Sequence, residues 1–179
     1  MLSIDRALLM IVDVQGKLAQ LMPERDSLFR NLQILIRGAQ ILELPIVWLE
    51  QNPAGLGPTV PEIANLLTAQ RPIPKMSFSA CGAPDAVQAL RASGRSQILL
   101  AGIEAHVCIY LTASDLLAQG YQVEVIADAV ASRSAENKQV GLDKMAALQA
   151  GISCTETALF ELLGRAEGQR FKEIIKLLR

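Results

Sequence analysis

Cys108 stands in GIEAHVCIYLTASDLLAQG, residues 102–120, between a predicted strand at Gln97–Ala101 and a predicted helix. A cysteine at a helix start can act as a thiolate nucleophile, because the unpaired N–H groups and the helix dipole there favour the anion. A free cysteine can equally be a small buried hydrophobe, so its neighbours decide. The single histidine, His106, lies two residues away, and side chains so spaced on a helix do not face each other. A local Cys–His dyad is therefore not expected, and another group must take the thiol proton. Asp13 ends the first apolar run, and Lys75 sits isolated between Pro74 and Met76 in PIPKMSFSA. The three form a chemically coherent set: Asp13 accepts the thiol proton, Lys75 holds the ionised pair, and Cys108 attacks a carbonyl carbon. Outside such a set, Asp13 caps the next helix and Lys75 is a solvated surface lysine.

These residues need elements to bring them together. Short β-rich runs (ALLMIVDV, PIVWLE, SQILLAG, QVEVIAD and GISCT) alternate with helical patterns such as RNLQILIRGAQILE. That is the rhythm of a parallel sheet with crossover helices. The strands are nearly continuous apolar runs, as in a sheet covered on both faces, so a doubly wound α/β fold is predicted. Helices at about Pro84–Ala92, Val107–Gln119 and Ala135–Gln149 are expected to end at Gly94, Gly120 and Gly151, residues suited to the left-handed position after a helix. The Pro- and Gly-rich stretch Gln51–Ser79 reads as a long functional loop. The amphipathic FKEIIKLLR is expected to pack back on the domain, with an oligomer contact as the alternative. In such sheets ligands bind beyond the carboxyl ends of the strands. Asp13, Glu50, Cys108 and Asp128 should therefore rim one crevice, unless a strand-end carboxylate such as Asp128 caps the following helix instead.

Bulk properties narrow the partners. The 179 residues suit a single domain, 1–179, that is 51% hydrophobic and carries a net charge of −1 from 17 basic and 18 acidic residues. No basic stripe is present to bind nucleic acid or an anionic membrane. The N-terminal run lacks a basic start and a small-residue cleavage site, and a cytoplasmic protein is expected. Cys81, Cys108 and Cys154 show no C-x-x-C spacing and read as free thiols. One histidine and three dispersed cysteines do not supply a clustered metal site, so no metal is expected. The first strand runs into DVQGKL without a G-x-G-x-x-G, and no nicotinamide or other cofactor is expected.

Asp at the end of strand one, Lys in the long middle segment, and Cys in G-x-x-x-x-x-C-x-x-x-T-A together resemble the isochorismatase-like cysteine hydrolases. WLEQNPAGLGPTVPEI and GIEAHVCIYLTASDLL particularly resemble the isochorismatase domain-containing subgroup. The resemblance runs from LLMIVDVQ to ALFELLG. It implies a three-layer α/β/α fold with a six-stranded parallel sheet, a catalytic triad of Asp13, Lys75 and Cys108, and a homo-oligomer, commonly a dimer or tetramer. It further implies an oxyanion hole from the N–H groups of Cys108 and Glu104, with a cis peptide bond between Ile103 and Glu104. The Glu104 side chain then braces the loop or touches substrate. Gln15, Glu50 and Phe78 are placed to line the substrate pocket. The alternatives are loop-bracing for Gln15 and Glu50 and a buried apolar wall for Phe78.

Similar nicotinamidases hold a metal through an Asp and two His after the second strand, where this chain has WLEQNPAGLG and no histidine. Isochorismatase itself cleaves a vinyl ether without needing the cysteine. Cys108 points instead to cleavage of an amide-like C–N bond in a small molecule through a thioester intermediate. The rival expectation is a non-catalytic binding or scaffold protein of the same fold.

Overall fold

Every residue of Ala7–Val12 is apolar and every one is buried, the pattern of a strand covered on both faces. It is β1 of the computed structural model, which describes residues 1–179. After it come α1 (Gly16–Gln20), α2 (Arg25–Ile41), β2 (Ile46–Gln51), α3 (Pro53–Leu56), α4 (Pro61–Ala64), β3 (Ile73–Lys75) and α5 (Pro84–Ser93). The chain continues through β4 (Gln97–Ile103), a π-helical turn at Ala105–Ile109, α6 (Tyr110–Ala118), β5 (Gln122–Ala131), α7 (Ala135–Ala147), β6 (Gly151–Ser153), α8 (Thr155–Leu163) and α9 (Gly168–Leu178).

All strand pairings are parallel, in the order β3-β2-β1-β4-β5-β6. The chain therefore winds outward from β1 in one direction and then the other, and strand order reverses between β1 and β4. A doubly wound sheet opens its ligand crevice at that point. Successive side chains of β1 point to opposite faces, so one continuous apolar run feeds two cores. Leu9 and Ile11 join Leu28, Leu32, Leu35 and Ile36 of α2 and Leu159 of α8. Leu8, Met10 and Val12 join Leu90 of α5, Leu116 of α6 and Met145 of α7. Each fully buried side chain of this size contributes about 1.5–3 kcal/mol, and together they fix the strands whose ends carry the polar residues.

Four local features differ from the sequence reading. The stretch Gln51–Ser79 holds two short helices and an edge strand, all too short to show a period. Pro74 is tolerated in β3 because an edge strand has one side without ladder partners. The helix expected from Val107 begins as the π turn and becomes regular at Tyr110. Gly151 does not terminate α7; the left-handed residue there is Gln149, and Gly151 opens β6 beside the Glu124 carboxylate. Finally, β5 runs past Asp128 to Ala131. α9 packs against α2 and α8 with Ile174 fully buried.

Candidate active site

Asp13 follows directly on β1 in the left-handed conformation, φ 58°, which a short polar side chain tolerates better than most. Its N–H donates to Leu49 O of β2 at 3.1 Å. Lys75 ends β3 opposite Gln51 of β2. Cys108 lies in the π turn after β4, packed in the same core as Ala105 and Ile109. Gly102 near the end of β4 makes this proximity to β1 possible. Its φ is +123°, and a Cβ there would stand 2.0 Å from Val12 O.

The three side chains meet in a buried cluster. Lys75 Nζ donates to Asp13 Oδ2 at 2.7 Å, Gln51 Oε1 at 2.7 Å, Phe78 O at 3.0 Å and Ser77 O at 3.2 Å. Those acceptors occupy all of an ammonium's donor capacity. Asp13 and Lys75 both stand close enough to the Cys108 thiol to act on its ionisation. Asp13 Oδ1 is the only buried side-chain polar atom lacking a conventional hydrogen bond, so the carboxylate keeps a free face.

Burial pushes the Asp13 carboxyl above the usual carboxylate range, against the pull of the Lys75 ion pair. Burial first, and the Asp13 charge second, push the Cys108 thiol up to about 12, with Lys75 acting in the opposite sense. The lysine charge is already matched by Asp13, and a buried thiol loses more from desolvation than one nearby ammonium returns. These influences favour a protonated Cys108 thiol beside the Asp13–Lys75 ion pair.

Of the residues expected to line the pocket, Gln15 braces two loops: its Nε2 donates to Gln51 O at 3.0 Å and Gly57 O at 2.7 Å, and its Oε1 accepts from Gln51 N at 2.6 Å. Glu50 Oε1 is committed to Thr59, accepting from its N–H at 2.6 Å and its hydroxyl at 2.7 Å. Both are therefore loop braces, and the Glu50 carboxylate does not stand free on a crevice rim. Phe78 is 58% exposed, so it forms no buried apolar wall; its carbonyl serves Lys75. Asp128 also leaves the crevice. Its Oδ1 accepts from Thr155 N and Oγ1 at 2.8 and 2.9 Å, which caps α8, and it borders a separate cavity of about 420 Å³ with Asn31 and Lys138.

The peptide bond between Ile103 and Glu104 is cis. The Glu104 side chain accepts from Arg133 N and Nε, at 3.0 and 3.1 Å, and His106 Nδ1 lies 3.0 Å from Ser132 Oγ. Sequence reasoning missed Gln51 and Arg133. Gln51 could be found only from the register of β2 against β3, and no local signal marks Arg133. No group of three His, Cys, Asp or Glu side chains is placed to hold a metal ion, and no helix is long and apolar enough to cross a membrane.

Residues 6–157 match the isochorismatase domain family. Isochorismatase domain-containing protein 1 of Salmo salar is 40% identical over 82% of this chain, which spans 52% of that protein's length. Isochorismatase domain-containing protein 2 of Danio rerio is 37% identical over 99% of this chain and 89% of its own. Among solved structures, MAR1 ribonuclease from Caenorhabditis elegans superposes with a TM-score of 0.92 at 34% identity, covering 99% of this chain and 91% of that one. The YcaC gene product of Escherichia coli, described as an octameric hydrolase of unknown specificity, superposes with a TM-score of 0.89 at 25% identity over 99% of this chain and 86% of that one.

Proposed function

This chain belongs to the isochorismatase family, and on that premise we propose that it is a cysteine-dependent hydrolase of a small amide-like substrate. The observation that supports the reading above the others is the buried meeting of Asp13, Lys75 and Cys108 with Asp13 Oδ1 left unpaired. A carboxylate held by an ammonium on one oxygen and free on the other is suited to take a thiol proton. Asp13 removes the Cys108 proton as Sγ attacks the substrate carbonyl, so the thiolate forms only in the reacting complex. The oxyanion is held by the N–H groups of Glu104 and Cys108; the Glu104 N–H donates to no protein acceptor. As the C–N bond breaks, the leaving nitrogen takes the proton from Asp13. Water then cleaves the thioester, with Asp13 again as base. Lys75 keeps the carboxylate oriented and ionised against the cost of burial.

The neutral resting thiol also favours a second reading, in which the site persists without turnover and the protein binds or scaffolds. The name of the Caenorhabditis elegans relative raises ribonuclease activity. In this chain the net charge of −1 offers no excess of cations to phosphates, and its only histidine is engaged with Ser132. A homo-oligomer is supported by the octameric description of the Escherichia coli relative and by the exposed Met76 and Phe78 beside Lys75. The hydrolase reading is tested by screening small amides, ureas and carbamoylated amines for ammonia release, with Cys108→Ala as control. Turnover lost in the variant supports the enzyme; no turnover by the wild type on any of them favours the binding protein.

A further inference from the structure

We infer that Arg133 is a positioning residue for the nucleophile turn, acting through Glu104 to aim the backbone donors of the oxyanion site. The inference rests on the acyl-transfer reading proposed above. Glu104 stands between β4 and the turn that carries Cys108. Its carbonyl accepts from Val107 N at 3.0 Å and Ile109 N at 3.2 Å, closing the turn around the cysteine. Its side chain directs one oxygen at both the backbone N and the Nε of Arg133. The remaining group, its own N–H, donates to no protein acceptor. A residue fixed through two groups, with the third left free, is oriented as well as packed.

The neighbouring contacts grip the same turn. Ser132, the residue before Arg133, meets His106. Gly141 of α7 also lies flush on the turn, where a Cβ would come within 2.7 Å of Ala105 C and O. Among these grips the Arg133 guanidinium is the exposed one: its side chain is 60% accessible, and the carboxylate that it holds is 9% accessible. An ion pair with one partner so open to water adds little to stability. What it adds is direction, because the planar guanidinium presents Nε–H along a fixed line as a lysine ammonium would not.

The test separates two reactions of Cys108. Acylation by p-nitrophenyl acetate builds an oxyanion: Sγ bonds to the carbonyl carbon, p-nitrophenolate leaves, and the thiol proton goes to Asp13. Alkylation by iodoacetamide displaces iodide at a saturated carbon and builds none. Arg133→Met keeps the backbone N–H bond to Glu104, so folding is retained. It should slow acylation of Cys108 about tenfold while alkylation stays within about twofold of wild type. The double variant Arg133→Met/Glu104→Gln should acylate no more slowly than the worse single variant, because the arginine acts through that carboxylate. Unchanged acylation in Arg133→Met, equal slowing of both reactions, or fully additive losses in the double variant would overturn the inference alone. A wild-type Cys108 that alkylates but never acylates would overturn the hydrolase reading and the inference with it.

Discussion

Lys75 Nζ lies 2.7 Å from Asp13 Oδ2, and neither side chain has more than 2% of its surface exposed. β3 and β1 are separated in the sheet by β2, so this ion pair spans a strand beneath it and fixes the carboxylate that faces Cys108. Buried pairs of this kind are costly to assemble and costlier to break, because removing one partner leaves the other charge without compensation.

Lys75→Met should lower unfolding stability by about 3–5 kcal/mol and abolish turnover, since Asp13 would take up a proton of its own and cease to be a base. Adding Asp13→Asn to that variant should recover part of the stability and none of the activity. Denaturant unfolding of the two single variants and the double reads both effects. Strictly additive destabilisation would contradict the pairing.

The pH dependence follows from the Cys108 thiol, moved from 9.0 up to about 12. The folded-state value is the higher one, so between these limits the folded chain retains a proton that the unfolded chain releases. Stability from this group is complete below pH 9.0 and declines as pH rises towards about 12. Denaturant unfolding at stepped alkaline pH should show a shallower decline in Cys108→Ala than in wild type. Equal declines in the two proteins would count against a buried neutral thiol.

Gly102→Ala places a Cβ 2.0 Å from Val12 O at a backbone φ of +123°. The close contact of β4 with β1 would have to open, with a loss of more than about 1 kcal/mol, and Cys108 would move away from Asp13. Both the melting temperature and the rate of Cys108 acylation should fall. A variant with wild-type values in both would show that the β1–β4 approach does not set the site.

Asp128→Ala removes the acceptor for Thr155 N and Oγ1 at the start of α8. Loss of such a cap costs about 1 kcal/mol, visible as a lowered unfolding midpoint, and turnover should be unchanged because Asp128 lies outside the Asp13–Lys75–Cys108 cluster. A selective loss of turnover would return Asp128 to the crevice.

The layers of the fold could be read in the chain because strands buried on both faces are apolar along nearly their whole length, as ALLMIV is and QILLAGI is after Gln97. β3 escaped that signal: IPK has three residues and a proline at its centre. Asp13 and Lys75 stood out because each interrupts apolar surroundings, although a strand-end carboxylate reads alike whether it serves a site or a helix cap. Asp13 and Asp128 take the two different fates. The ionisation of Cys108 was beyond local sequence, since it depends on burial and on which charge Lys75 already satisfies. The Glu104–Arg133 contact joins residues 29 apart, a relation set only when β5 pairs with β4.

The proposed role of Cys108 requires a covalent intermediate, and intact-mass spectrometry followed by peptide mapping during p-nitrophenyl acetate turnover can see it. A single acetyl group should appear on the Cys108 peptide, disappear on treatment with hydroxylamine, and be absent in Cys108→Ala and strongly reduced in Asp13→Asn. Acetylation at Cys81 or Cys154 instead, or ester turnover that persists in Cys108→Ala, would contradict the Asp13–Lys75–Cys108 mechanism.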